Sequence, residues 1–320
     1  MHNTINIIVT CTKQKTCEPA SSLQLRNIGG ANVEGRVRQW KSRLDRSHGE
    51  TITPKSLYAG DHWKVAKNLA DLAKPSEQIC VWVISAGYGL LPLDALIQPY
   101  SATFSTRHPD TVVLPRESGI VDPATDKRAW WNALIDLDWN RERPISITDL
   151  AKEYPDSPLL IAASANYLHA IQDDLRNAQT HLDDINQLAI MSAGTDALGD
   201  LTKNLIPCDA RLQPLVGGVL RSLNVRLLRH ALETARRTPP TLSSISTRFQ
   251  KLLAEAPERP KYDRTPVTDE EVRRFVKGAM KKQTNVTQSR LLRDLRDSGK
   301  ACEQGRFRTL FKEVQGAHYG

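Results

Sequence analysis

Small hydroxyl-bearing turns follow the apolar stretches of this chain, and one of them leads to side chains that can do chemistry. The central stretch, Ile79 to Ile84, is short, apolar and rich in β-branched residues, which is typical of a strand buried on both faces. It runs into Ser85-Ala86-Gly87-Tyr88-Gly89, where two glycines predict a sharp turn or one with positive φ. The carboxylate of Asp94, the amide of Gln98 and the phenol of Tyr100 come next. This order is typical of a ligand site in an open α/β sheet, and also of an ordinary strand–turn–helix corner.

A carboxylate in such a site could stabilise positive charge or position a water molecule. Asp94 is therefore the candidate catalytic residue, and a helix N-cap after Pro92 is its alternative role.

Four strands, each followed by a small polar loop, predict the architecture that would position these groups. The strands are predicted at Ile5–Thr10, Ile79–Ile84, Leu159–Ala163 and Leu188–Met191. The loops are Thr10-Cys11-Thr12, Ser85-Ala86-Gly87, Ser164-Ala165-Asn166 and Ser192-Ala193-Gly194. Helices are predicted at 37–45, 61–74, 126–137 and 146–153, and a long irregular loop at 105–125. Strands that alternate with helices favour an α/β fold with a mostly parallel or mixed sheet, and all four loops would then lie at one edge.

Composition restricts the class of protein. A chain of 320 residues with 40% hydrophobic and 25% charged residues is typical of a globular protein with one large core and a small second domain. We expect no membrane partner, because no apolar run has the length of a membrane span and the first residues do not match a secretory signal. The five cysteines form no C-x-x-C pair, so we expect reduced thiols in the cytoplasm, no metal and no cofactor.

Charge is concentrated in the last third of the chain. From Arg221 to Gly320 there are 22 Lys and Arg against 11 Asp and Glu, a net of +11, so the remainder carries −3 of the total +8. A mildly acidic body joined to a basic tail indicates a polyanionic partner, nucleic acid before membrane. A basic but merely solvated surface is the alternative.

The tail itself is predicted to be helical. Gly217-Gly218 would open a helix that extends to about Arg236, with backbone N–H groups open to a phosphate or with the glycines acting only in packing. A linker containing one helix (Leu242 to Ala254) would span 238–266 and separate an α/β domain (1–237) from a three-helix module (267–320). The module starts with the capping box Thr268–Glu271 and resembles a helix-turn-helix, with a protein-docking module as the alternative. The candidate DNA-binding residues are Arg211, Gly218, Arg221, Arg226, Lys281, Lys282, Arg290, Arg293, Gln304, Arg306 and Arg308.

The stretch from Ser85 to Tyr100 resembles the signature of the YaaA peroxide-stress family, with its serine, Tyr-Gly, Pro-Leu-Asp and Gln-Pro-Tyr. Cys11-Thr12-Lys13, Leu57-Tyr58-Ala59-Gly60 and Ala163–Tyr167 match that family more weakly, whereas Ser101 stands where the family has an arginine. The resemblance implies an α/β fold that binds DNA, related to domains found with guanine transglycosylases acting on DNA or tRNA and with DNA glycosylases of phage defence.

Base excision would need the residue types present here. It requires a carboxylate for an oxocarbenium-like state, an aromatic face for the extruded base, and amide or hydroxyl groups that read its edge. The candidate base-binding residues are Cys11, Lys13, Ser85, Gly87, Tyr88, Gln98, Tyr100, Ser164, Asn166 and Tyr167. The leading hypothesis is therefore a DNA glycosylase that removes a modified base from double-stranded DNA in antiviral defence. The alternatives are a non-enzymatic DNA-binding or regulatory protein and an accessory subunit of a base-exchange system on DNA or tRNA.

Overall fold

The chain consists of two compact units, Met1–Pro257 and Glu258–Gly320. The computed structural model describes residues 3–115, 122–139, 144–193, 198–235, 239–258, 263–282 and 286–319. The first unit extends beyond the predicted boundary at residue 237. The helix Leu242–Glu255 belongs to this unit because its Ile245 and Phe249 are buried in the unit's hydrophobic core. Within the described ranges, no helix combines the length and the apolarity needed to cross a membrane.

A six-stranded, mostly parallel sheet forms the centre of the first unit. Its strands are β1 (Asn3–Thr10), β2 (Glu77–Ser85), β3 (Gly89–Pro92), β4 (Leu159–Ala162), β5 (Leu188–Ser192) and β6 (Leu205–Pro207). They are arranged in the order β3-β2-β1-β4-β5-β6, and only β3 is antiparallel to its neighbour. The predicted α/β fold is thus confirmed. The sequence did not predict β3 and β6, which are too short to show an alternation pattern.

Nine helices surround this sheet in the described part of the first unit. They are α1 (Val33–Arg46), α2 (Pro54–Leu57), α3 (Asp61–Ala66), α4 (Pro123–Ile135), α5 (Ile147–Glu153), α6 (Ala165–Gln179), α7 (Gln213–Val216), α8 (Leu223–Thr234) and α9 (Leu242–Glu255). The predicted helix 61–74 instead ends at Ala66 and continues as a 3-10 turn, Leu69–Leu72. The predicted start of a helix at Gly217-Gly218 is wrong, because φ is +67° and +72° there, outside the right-handed helical region.

Two tryptophans hold the turn between β2 and β3. The indole N–H of Trp40, on α1, donates to the carbonyl of Gly87 at 2.8 Å. That of Trp130, on α4, donates to the carbonyl of Ala86, also at 2.8 Å. Both indoles are fully buried, so α1 and α4 together fix the turn through two of its backbone carbonyls. The predicted positive φ occurs at Gly89, at +73°.

The second unit has its own core. Helices α10 (Asp269–Lys282), α11 (Gln288–Asp297) and α12 (Gln304–Tyr319) pack around apolar side chains that include Val276, Leu295 and Phe307. The predicted capping box is present, since the N–H of Thr268 donates to the carboxylate of Glu271 at 2.8 Å. A short parallel pair, β7 (Thr265–Pro266) and β8 (Lys300–Ala301), precedes α10 and α12 respectively.

Candidate functional site

The loops after β1 and β4 meet at the carboxyl edge of the sheet. Strand β1 lies between β2 and β4, so the chain leaves β1 towards one side of the sheet and later adds strands on the other. At such a switch point the loops diverge and leave a crevice. Cys11 follows β1 and Tyr167 follows β4, and the Cys11 Sγ and Tyr167 hydroxyl oxygen lie 3.1 Å apart. The loops after β1, β2 and β4 therefore share one edge, as predicted, whereas Gly194 of the fourth loop lies outside the described residues.

Beside this contact, three hydroxyl groups form a buried chain. The Tyr100 hydroxyl oxygen lies 2.7 Å from Ser85 Oγ and 2.8 Å from the Tyr58 hydroxyl oxygen. Ser85 Oγ also accepts hydrogen bonds from the N–H groups of Gly87 and Tyr88. Burial raises the pKa of Tyr58 and of Tyr100 well above the ordinary value, and the nearby Cys11 adds to the effect. Both phenols are therefore neutral hydrogen-bond donors.

Lys15 lies over these tyrosines. Its Nζ is 4.7 Å from the centroid of the Tyr100 ring and 5.7 Å from that of the Tyr58 ring, so the ammonium group faces two aromatic rings. Burial lowers the pKa of Lys15, and the neighbouring Cys11 and Asp110 oppose this only in part. A lysine with a lowered pKa carries a larger fraction of neutral amine, the form that acts as a nucleophile or a base.

A fixed negative charge lies near Lys15. The carboxylate of Asp110 is fully buried and accepts from Arg26 Nε at 2.8 Å and Arg26 Nη2 at 2.5 Å, and also from Ser101 Oγ at 2.7 Å. Burial by itself would raise the pKa of Asp110, but these hydrogen bonds bring it down to about 2. Asp110 is thus ionised at neutral pH. Arg26 also lines a cleft of about 440 Å³ together with Arg36 and Gly30.

Asp94 does not lie with these groups. Strand β3 runs antiparallel to β2, and Leu93 N–H donates to the carbonyl of Val81, four residues before Ser85. At about 3.3 Å per residue, this places Leu93 roughly 13 Å from Ser85 along the strand direction, and Asp94 follows it towards the amino-terminal end of β2. Its side chain is exposed there. The predicted convergence of Asp94 with the strand-end loops is therefore wrong. The chain reverses at Gly89, and β3 carries Asp94 away from these loops.

Tyr88 and Gln98 support the turn instead of facing the crevice. The Tyr88 hydroxyl donates to the Gln98 carbonyl at 3.2 Å and accepts from the Gln98 N–H at 3.1 Å. The Gln98 amide donates to the Ser47 carbonyl at 2.8 Å, and its oxygen accepts from the Gly49 N–H. A Cβ atom on Gly87 would lie 2.6 Å from the Tyr100 ring. Glycine at position 87 is therefore required for close packing.

Three predicted base-binding residues are exposed and lie outside the buried hydroxyl chain. Lys13, Ser164 and Asn166 are exposed, and Asn166 Oδ1 accepts from Lys127 Nζ at 2.7 Å. The lysine of the β1 loop that the structure places among the tyrosines is Lys15, not Lys13.

The three arginines predicted to bind DNA in the first unit differ in their surroundings, because two of them form ion pairs with aspartates. Arg211 forms an ion pair with Asp209, at 2.9 Å. Arg226 turns inward to Asp61, at 3.0 Å, and its guanidinium lies against Gly218. Arg221 is exposed.

In the second unit all seven predicted DNA-binding residues are exposed. The exposed residues are Lys281, Lys282, Arg290, Arg293, Gln304, Arg306 and Arg308. Arg306 is also paired with Asp269, its Nε lying 2.6 Å from the carboxylate.

Sequence reasoning missed Lys15, Tyr58, Arg26 and Asp110 as site residues. Lys15 stands four residues after Cys11 in the same polar loop as Lys13, and the residue types of this loop do not distinguish the two lysines. Tyr58 lies in the short segment Leu57–Gly60, which matches the YaaA family only weakly and does not mark Tyr58 as a site residue. Nothing in the local pattern marks Asp110, since its position depends on Arg26, 84 residues earlier.

Neither protein-family models nor curated proteins gave a match to this chain. Among the described residues there is no cluster of three or more His, Cys, Asp or Glu side chains that could hold a metal ion.

Proposed function

We propose that this protein excises a base from DNA, with the Lys15 amine as the nucleophile. The observation that carries the proposal is the position of Lys15 at the carboxyl edge of the sheet, over Tyr100 and Tyr58, with a pKa lowered by burial. Tyr58, Tyr100 and Ser85 are buried and bond to one another, so they form a packed support beneath the Lys15 amine. The likeness of Ser85–Tyr100 to the YaaA family supports the same substrate and a role in phage defence.

The proposed reaction conserves atoms and charge. The neutral Lys15 amine attacks C1′ of the nucleotide, the C1′–N bond to the base breaks, and the base leaves with the bonding electrons and takes up a proton. The attached nitrogen then loses one proton, the C1′–O4′ bond breaks as O4′ takes up a proton, and the nitrogen lone pair forms the C1′=N bond of a protonated imine. Water then hydrolyses the imine and restores the amine. The ionised Asp110 supplies negative charge that favours the cationic intermediate.

The second unit would hold the DNA as a helix-turn-helix-like module. Support comes from its three-helix core and from exposed lysines and arginines on α10, α11 and α12. Such side chains neutralise backbone phosphates. Gln304 begins α12 and is exposed, so it is the candidate for a contact to a base edge.

Trapping of the imine tests the reaction. Full-length protein is mixed with phage DNA carrying modified bases, or with unmodified DNA, in the presence of borohydride. We expect a covalent protein–DNA adduct with one of these DNAs, and release of the free base measured by mass spectrometry. Lys15→Met should abolish the adduct, whereas Lys13→Met, which changes an exposed lysine two residues away, should retain it. Base release by Lys15→Met at the wild-type rate would refute the role of Lys15.

A non-enzymatic DNA-binding protein is the second candidate. It is favoured by the exposed position of Asp94 and by the hydroxyl chain, whose members bond to one another. DNA binding without adduct, base release or abasic sites would select this alternative. Release that requires an added partner enzyme would select an accessory subunit of a base-exchange system.

A further inference from the structure

Three large apolar side chains are exposed within six residues of each other. Leu215 is 47% exposed, Val219 51% and Leu220 43%. Among the described residues, the other large apolar side chains of comparable exposure, Leu96 and Ile185, stand alone in the sequence. A group of exposed apolar side chains indicates an interaction site, whereas single ones are ordinary.

The segment that carries them, residues 213–222, lies on the carboxyl side of the sheet. It follows β6, which is parallel to β5, so the chain leaves β6 at the same edge as the loops after β1 and β4. Asp61 joins the two regions, because its carboxylate accepts hydrogen bonds from Ser222 and from Arg226. Tyr58 precedes Asp61 by three residues, which span at most about 11 Å between Cα atoms.

Hydrogen bonds hold the segment in its exposed conformation. The Gln213 amide donates to the Gly218 carbonyl at 2.8 Å, across the two glycines with positive φ. Arg226 NH1 donates to the Val216 carbonyl at 3.4 Å. The apolar side chains are thus presented by a closed loop that is braced against α3 through Asp61.

We propose that Leu215, Val219 and Leu220 form a wedge that enters the base stack of DNA and holds open the gap left by an extruded nucleotide. This deepens the proposed function and rests on DNA being the partner. Apolar side chains inserted between base steps unstack and kink duplex DNA. The exposed Arg221 adjoins the wedge in sequence and can meet a phosphate beside the gap. A second copy of the chain suits the patch poorly, because three half-exposed side chains offer far less than the roughly 800 Å² per partner of a stable interface.

The fluorescence of 2-aminopurine, which reports unstacking of that base, tests whether the wedge enters the duplex. Short duplexes carrying a single 2-aminopurine, paired or mismatched, are titrated with the full-length protein at fixed low salt. We expect fluorescence to rise with the wild type, and the rise to fall about tenfold in the triple variant Leu215→Ser, Val219→Ser, Leu220→Ser. The matched variant Leu96→Ser, Ile185→Ser removes the other exposed apolar side chains and should behave as the wild type. Binding of single-stranded DNA, which needs no unstacking of a duplex, should be equal in all three proteins.

The outcomes separate the wedge from the proposed chemistry. The wedge is overturned if the fluorescence rise of the triple variant equals that of the wild type. It is also overturned if the wild type binds duplex DNA without any fluorescence rise. Loss of self-association in the triple variant, seen by sedimentation together with an unchanged fluorescence rise, also overturns it and assigns the patch to a second copy. A wild type that unstacks 2-aminopurine but gives no borohydride adduct supports the wedge and refutes the Lys15 chemistry.

Discussion

The thiol of Cys11 and the hydroxyl of Tyr167 lie 3.1 Å apart although 156 residues separate them in the chain. The same hydroxyl donates to the Cys11 carbonyl at 3.3 Å. Because Cys11 directly follows β1 and Tyr167 lies in the first turn of α6, this contact joins the loops after β1 and β4. Burial raises the pKa of Tyr167 well above its ordinary value, so it remains a donor at neutral pH.

Tyr100→Phe should lower the free energy of unfolding by about 1–3 kcal/mol, since it removes one partner from each of two buried hydroxyls, Ser85 and Tyr58. Tyr58→Phe removes the hydrogen bond to Tyr100 but leaves that between Tyr100 and Ser85 in place, so its effect should be smaller. Urea unfolding of the two variants gives the ranking. A larger loss in Tyr58→Phe would mean that the hydroxyl chain is not centred on Tyr100.

Asp110→Asn should destabilise the protein in a pH-dependent way. The pKa of Asp110 is about 2 in the folded state against an ordinary 3.8, so its contribution of about 2 kcal/mol is present above pH 4 and is lost as pH falls towards 2. Wild type and variant should therefore differ most at neutral pH and converge in acid. Asp94→Asn is the exposed control and should change neither stability nor base release. A loss of base release in Asp94→Asn would contradict the placement of the site.

Gly87→Ala should be destabilising by about 1–3 kcal/mol, because the new Cβ would lie 2.6 Å from the Tyr100 ring, which is fully buried. Gly29 has open space around its Cβ position and no positive φ, so Gly29→Ala should be close to neutral. Thermal unfolding compares the two. Equal melting temperatures would show that the turn can move away from Tyr100.

Adduct formation should rise with pH and level off below the ordinary lysine pKa of 10.5. Burial lowers the pKa of Lys15, and only the neutral amine attacks C1′. The pH profile of the borohydride-trapping rate measures this directly. A midpoint at or above 10.5 would show that the reacting amine is a solvent-exposed one.

Removal of the second unit after Pro257 should weaken DNA binding and reduce its salt dependence, because fewer phosphates are neutralised. Fluorescence anisotropy at two or more salt concentrations gives both quantities. Lys281→Glu with Lys282→Glu in the full chain should act in the same direction. Lys152→Glu on α5, also exposed, makes a charge change of the same kind in the first unit and should have little effect. Unchanged affinity of the truncated protein would remove the second unit from DNA binding.

The sequence predicts elements whose pattern is local and long enough to show. Residues 5–10, 79–84 and 159–163 are apolar and bounded by polar turns, and all three are parallel strands. The hairpin return of β3 depends on four residues that end in proline, Gly89–Pro92, and carries no such pattern. Because the sequence does not reveal β3, it predicts Asp94 at the carboxyl edge of the sheet. Asp94 instead lies towards the amino-terminal end of β2.

The composition of the site was predictable only in part. Ser85 and Tyr100 belong to one continuous stretch and were found together. Lys15 was distinguished from Lys13 only by burial against tyrosines that come 43 and 85 residues later, at Tyr58 and Tyr100. Which of two neighbouring lysines faces inward is set by tertiary packing and not by residue type.

The two outermost strands of the sheet, β3 and β6, contain only four and three residues, and each ends in a proline, Pro92 and Pro207. A proline has no N–H to offer, and so short a border leaves few unpaired main-chain groups for another chain. The sheet is thereby protected against edge-to-edge aggregation, and copies of the protein gain little by extending it into fibres.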